Sequence, residues 1–129
     1  MRDQAQMPEE KTLEKELESQ MEAKRFVRAA ALAESSGSPL SEVKEIQKRA
    51  LWQMTAVFRN AGGARVLCEQ YGFTKQETEE TLRKMAGELQ GKGDTKILEP
   101  TYDQATGKYL SFEEWLGQFL KHWDTLRAS

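Results

Sequence analysis

The longest apolar stripe at helical spacing in this chain runs from Val43 to Tyr71. Val43, Ile46, Ala50, Met54, Val57, Ala61, Ala64, Cys68 and Tyr71 recur every three or four residues, as one buried helix face requires. Leu51, Phe58 and Leu67 widen the face, while Lys44, Lys48, Arg49, Arg59 and Arg65 fall largely outside it. Ser38 and Pro39 suit a helix entry, one offering a hydroxyl to free amides and the other a fixed helical φ; Gly72 suits an exit. The pattern predicts a helix over about 39–71. Gly62 and Gly63 notch it, because each glycine costs roughly 1 kcal/mol relative to alanine inside a helix. The apolar spacing survives across the pair, so a bend is expected, with a terminus after Asn60 as the alternative. Gly62 and Gly63 are read as a hinge or as a place of close packing.

Upstream, Leu13, Leu17 and Met21 recur at four-residue spacing, followed by Phe26, Val27, Ala30, Ala31 and Leu32. This predicts a first helix over roughly 9–34, about 39 Å long, whose acidic opening (Glu9, Glu10) and basic second half (Lys24, Arg25, Arg28) complement the backbone dipole. Its first half is thinly apolar, so Leu13, Leu17 and Met21 are candidates for a partner or self-association contact. Residues 1–8 lack periodicity and read as a flexible N-terminus ahead of a single helical domain over 9–129. The loop Ser35-Ser36-Gly37-Ser38-Pro39 is short enough to fold the second helix back on the first.

Downstream, Thr74 with Glu77 forms a capping box, which opens a third helix over about 75–90 that ends before Gly91-Lys92-Gly93. The period then shifts. Thr95–Tyr102 and Lys108–Ser111 flank Asp103-Gln104-Ala105-Thr106-Gly107, a turn-forming run, so two short strands in a hairpin are expected, with Pro100 holding the first to an edge. Ser111 with Glu114 is a second capping box and opens a last helix over 112–127, carrying Trp115, Phe119 and Trp123 at four-residue spacing. The expected fold is mostly α: a small bundle of about four helices with a long antiparallel N-terminal pair and a short β-hairpin before the last helix.

Composition narrows the functional classes. With 129 residues, 38% hydrophobic and 31% charged, the chain fits one charge-rich helical domain and argues against wholesale disorder. The net charge is −2; residues 1–60 carry ten acidic and ten basic side chains, and residues 69–114 carry ten acidic and six basic. Neither stretch has the positive field that draws in a phosphate backbone. Cys68 is the only cysteine, so no intramolecular disulfide forms and a reducing, cytoplasmic location is the expectation. No run approaches the roughly eighteen apolar residues of a membrane span, so no membrane partner is expected.

Candidate chemistry is sparse. Residues 64–84 have the helix–turn–helix order of a DNA-binding element, but Glu77, Glu79, Glu80 and Glu88 against Lys75, Arg83 and Lys84 would repel phosphates. Asp103–Glu114 has an acidic residue at each end of a calcium-loop length, yet its glycine falls fifth and Ala105 stands where an oxygen ligand is needed. His122 is the only histidine, and Cys68 lies on the apolar stripe as a small hydrophobe. No nucleophile elbow, phosphate cradle or dinucleotide fingerprint is present, so neither cofactor nor metal is implied. Trp115, Phe119 and Trp123 read as bundle-plugging core, or as a partner surface with Trp123 at its rim. The expected function is a non-catalytic protein–protein interaction or regulatory protein acting through helical faces, with a homodimer as one form. The alternatives are a nucleic-acid-binding regulator using 64–84, and a small-ligand-binding protein or enzyme with an apolar pocket under Gly62-Gly63 and the hairpin.

Overall fold

Helix stops lay out this chain, and only some of them are glycines. A computed structural model describes the backbone of residues 2–127 and the side chains of residues 12–126. Among the described residues the order is α1 (Arg2–Glu22), α2 (Phe26–Ser35), α3 (Leu40–Trp52), a π-helical turn (Gln53–Val57), α4 (Ala61–Tyr71), α5 (Lys75–Gly91), a 3₁₀ turn (Lys96–Leu98), β1 (Thr101–Asp103), β2 (Lys108–Leu110), α6 (Phe112–Lys121) and α7 (Trp123–Arg127). The chain is mostly helical with a two-stranded antiparallel sheet before its last helices, but the expected count of about four helices is too low. The segment 1–8, expected to be flexible, lies where side chains are not described.

Three stops follow the glycines. Gly37, Gly72 and Gly93 have φ of 79°, 74° and 76°. At each, the glycine amide donates to the carbonyl three residues back and the next amide to the carbonyl five back, as in Phe73 N to Cys68 O at 2.9 Å. This paired closure satisfies carbonyls the helix end leaves free, and it needs a left-handed residue that glycine supplies without a Cβ clash.

Two further stops overturn the long N-terminal pair. The predicted helix over 9–34 breaks at Lys24, which takes φ 58° and makes the same closure, with Arg25 N donating to Gln20 O at 2.9 Å and Lys24 N to Met21 O at 3.1 Å. The dipole reading of that helix therefore changes: α1 ends on Glu22 with no basic residue in its last turn, Lys24 stands just past that end, and Arg25 and Arg28 stand at the start of α2. The predicted helix over 39–71 breaks at Arg59, φ 50°, after a π turn in which Phe58 N donates to Gln53 O at 2.9 Å and Asn60 N to Met54 O at 2.9 Å. The Thr55 hydroxyl, buried inside this turn, donates to the carbonyls of Leu51 and Trp52. The extra residue per turn rotates the following side chains off the stripe: Val57 is 47% exposed and Phe58 59%. The bend expected at Gly62-Gly63 is thus a break three residues earlier, at Arg59, beside the alternative terminus at Asn60, which caps α4; the last helix is also interrupted, at His122, into α6 and α7.

The chain divides into two compact units, residues 1–50 and 51–129. In the first, α2 buries Ala29, Ala30 and Ala33, and α3 buries Val43, Ile46 and Ala50. In the second, one apolar cluster joins Leu51, Cys68, Leu82, Phe112, Leu116 and Phe119. The predicted capping boxes are both complete: Thr74 and Glu77 bond each other's amides, as do Ser111 and Glu114. The hairpin pairs Thr101 with Leu110, Tyr102 with Tyr109 and Asp103 with Lys108, closed by an Asp103 carboxylate that accepts from the Thr106 amide and hydroxyl. No described helix is long and apolar enough to cross a membrane.

Candidate functional site

The first unit carries an open groove of about 410 Å³ between α1 and α3. Its floor is apolar, built from Leu17 and Met21 of α1 and Ile46 of α3; its edges are Glu18 and Glu22 on one side and Glu42 and Glu45 on the other, with Arg49 as the one cation among the described residues of the lining. Leu17, Glu18 and Glu42 also line an adjoining hollow that Leu13 and the loop Ser36–Pro39 complete, so the two form one continuous channel. Helical spacing creates the α1 wall, because residues four apart stack on one face: Leu13, Leu17 and Met21 form a row, with Glu14, Glu18 and Glu22 one position around. Leu17 and Met21 are half-buried and Leu13 is 37% exposed, whereas Ile46 is sealed at the base.

The rim is largely uncompensated. Glu45 pairs with Lys48 at 3.6 Å, and among the described residues Glu18, Glu22 and Glu42 have no ion-pair partner. Leu13, Leu17 and Met21, singled out from the sequence as candidate contacts, lie along these hollows; the glutamates, Ile46 and Arg49 were not singled out for a contact. The acidic residues at 14, 18 and 22 were a visible period of four, but which face of α3 they meet is a tertiary fact.

The other expected positions lie in the second unit. Trp115, Phe119 and Trp123 are 4%, 2% and 8% exposed. With Phe112 and Trp52 their rings form a ladder with centroids 5.1–6.3 Å apart. Gly62 and Gly63 occupy the first turn of α4, where the Asn60 side chain accepts from the Gly63 amide at 2.9 Å. A Cβ on Gly63 would lie 2.8 Å from Asn60 Nδ2 and 3.0 Å from Met54 Sδ, so the close approach is real at Gly63; at Gly62 the nearest atom is 3.9 Å away.

Two arginines hold this unit together. Arg59 donates from Nη1 to Leu110 O, from Nη2 to Ile97 O and Glu99 O, and from Nε to Ala56 O, while its guanidinium lies 5.7 Å from the Phe112 ring centre. Burial pulls its pKa down and Asp103 pushes it back up. Arg65, 4% exposed, donates to Trp123 O and to Glu69 and lies 4.0 Å over the Trp123 ring. These fans of donors end on backbone carbonyls and structural side chains, so they organise the fold.

The helix-turn-helix order at 64–84 is present as α4, Gly72 and α5. Arg83 of α5 is occupied by Glu113 and Glu79, whose hydrogen bonds raise its pKa, and Glu77 is engaged in the cap. Burial pushes the Cys68 thiol up, partly offset by the Thr78 hydroxyl at 3.5 Å, which leaves it a poor nucleophile. His122 is exposed at the junction of α6 and α7. Among the described residues, no group of three or more His, Cys, Asp or Glu side chains is placed to hold a metal ion. No protein-family model, curated protein or solved structure matches this chain.

Proposed function

We propose that this protein is a non-catalytic interaction module that engages another polypeptide through the α1–α3 face of its first unit. One observation carries the reading: Leu17 and Met21 lie open over the buried Ile46 between charged edges, the form that helix-in-groove recognition takes. The titratable side chains nearest to conventional chemistry support it indirectly, since Cys68 is buried among apolar neighbours and Arg59 and Arg65 donate to structural acceptors.

The test is site-specific photo-crosslinking with a photoreactive residue at Leu13, in the lining of the hollow that adjoins the groove, and a control at Lys92 in the second unit. A discrete polypeptide adduct is expected from Leu13 alone, and Leu17→Asp removes it. Equal labelling from both positions, or none together with turnover of a small substrate, contradicts the interaction reading.

A further inference from the structure

We infer that the α1–α3 groove receives a basic amphipathic helix of a partner protein; the inference rests on the interaction reading above and names the partner's chemistry. The floor supplies two open apolar contacts, Leu17 and Met21, backed by the buried Ile46, that match a guest helix presenting apolar residues every three or four positions. Methionine among them adapts its shape to different guests. The edges supply the sign. Among the described residues of the lining, four carboxylates face one guanidinium; Glu45 also pairs with Lys48, while Glu18, Glu22 and Glu42 have no ion-pair partner there.

A second observation points the same way. Glu18 and Glu22 occupy the C-terminal turns of α1, where the backbone's exposed carbonyls already concentrate negative charge; the last turn itself holds no basic residue, and the next cations, Lys24 and Arg25, lie beyond the helix end. Such a placement is locally unfavourable and is relieved when lysines or arginines of a guest flank the apolar stripe. A second copy of this chain fits poorly, because docking its own α1 face here would bring Glu14, Glu18 and Glu22 against the same acidic edges. The acidic rim likewise disfavours nucleic acid and anionic lipid surfaces.

The experiment uses the full chain and a fluorescein-labelled synthetic peptide of about twenty residues, long enough to form a helix on docking. Its leucine stripe is flanked by lysines, and a matched peptide carries glutamates instead. Anisotropy is expected to show saturable binding of the lysine peptide only, weakened by salt, weakened about tenfold by the exposed double variant Glu18→Lys/Glu42→Lys, and abolished by Leu17→Asp. Equal binding of both peptides overturns the basic-partner inference and leaves the interaction reading standing. No binding of either, with a dimer mass in light scattering that Leu17→Asp halves, assigns the groove to a second copy and also overturns it. No binding with a monomer mass overturns both.

Discussion

At the scale of single residues, two adjacent glycines have opposite roles. Gly62 sits in the first turn of α4 with room for a methyl group, so Gly62→Ala is expected to stabilise by up to about 1 kcal/mol through helix propensity. Gly63→Ala places a Cβ against Asn60 and Met54, displaces the cap and is expected to destabilise by about 1 kcal/mol. Urea denaturation of the two variants measures the difference; equal shifts of either sign would count against the cap geometry. Arg59 carries two separable burdens. Its left-handed backbone favours glycine by roughly 1 kcal/mol, while its side chain ties three carbonyls of the 3₁₀ turn and hairpin to the π turn. Both Arg59→Ala and Arg59→Gly should therefore destabilise, with the glycine variant the less damaged by about 1 kcal/mol.

At the scale of elements, capping chemistry governs where helices begin and left-handed residues govern where they end. The Ser111–Glu114 box holds α6 at its start, and hydrogen bonds from the Ser111 amide and hydroxyl set the Glu114 carboxyl below the usual glutamate range. A carboxylate whose pKa is lower folded than unfolded contributes stability that is fully present above the unfolded value and is lost as pH falls through the folded one. Acid should accordingly weaken the start of α6 from the ordinary glutamate range downward. Glu114→Gln, which keeps an acceptor but cannot titrate, should flatten that limb of the stability–pH curve followed by circular dichroism. At the other end of an element, Lys24 stops α1 in a conformation glycine prefers, so Lys24→Gly is expected to leave the break in place and to stabilise by about 1 kcal/mol or less. A fall in stability with loss of helix content would show that the lysine side chain holds this stop.

At the scale of the whole molecule, the residues that make the fold and those that make the groove overlap at Ile46 and otherwise differ in burial. Leu51, Leu82 and Leu116 are fully enclosed in the second unit, and truncating any one to alanine should cost about 2–5 kcal/mol. Leu17 is half-buried on an open face, so Leu17→Ala should cost roughly 1 kcal/mol of stability while removing most partner binding. Parallel unfolding and binding titrations check this. A large stability loss for Leu17→Ala with binding intact would place that residue in the core and take the floor from the groove.

Much of this was legible along the chain. The four-residue period, the two capping boxes, the exits at Gly37, Gly72 and Gly93 and the Asp103–Gly107 turn are local devices, each completed by atoms within a few residues, so composition and spacing alone determined them. Lys24, Arg59 and the π turn were not legible, because a lysine or arginine at positive φ carries no local signature; Arg59 is held there by the distant carbonyls of Ile97, Glu99 and Leu110, and Lys24 by a backbone closure that its residue type does not announce. Those unmarked stops turned the expected long helices into shorter ones and set the acidic end of α1 beside α3. The sequence by itself determined a mostly helical chain with an apolar row at Leu13, Leu17 and Met21. Tertiary structure alone decided that this row stays partly open and acquires an acidic rim, since which helix faces meet depends on where each helix stops.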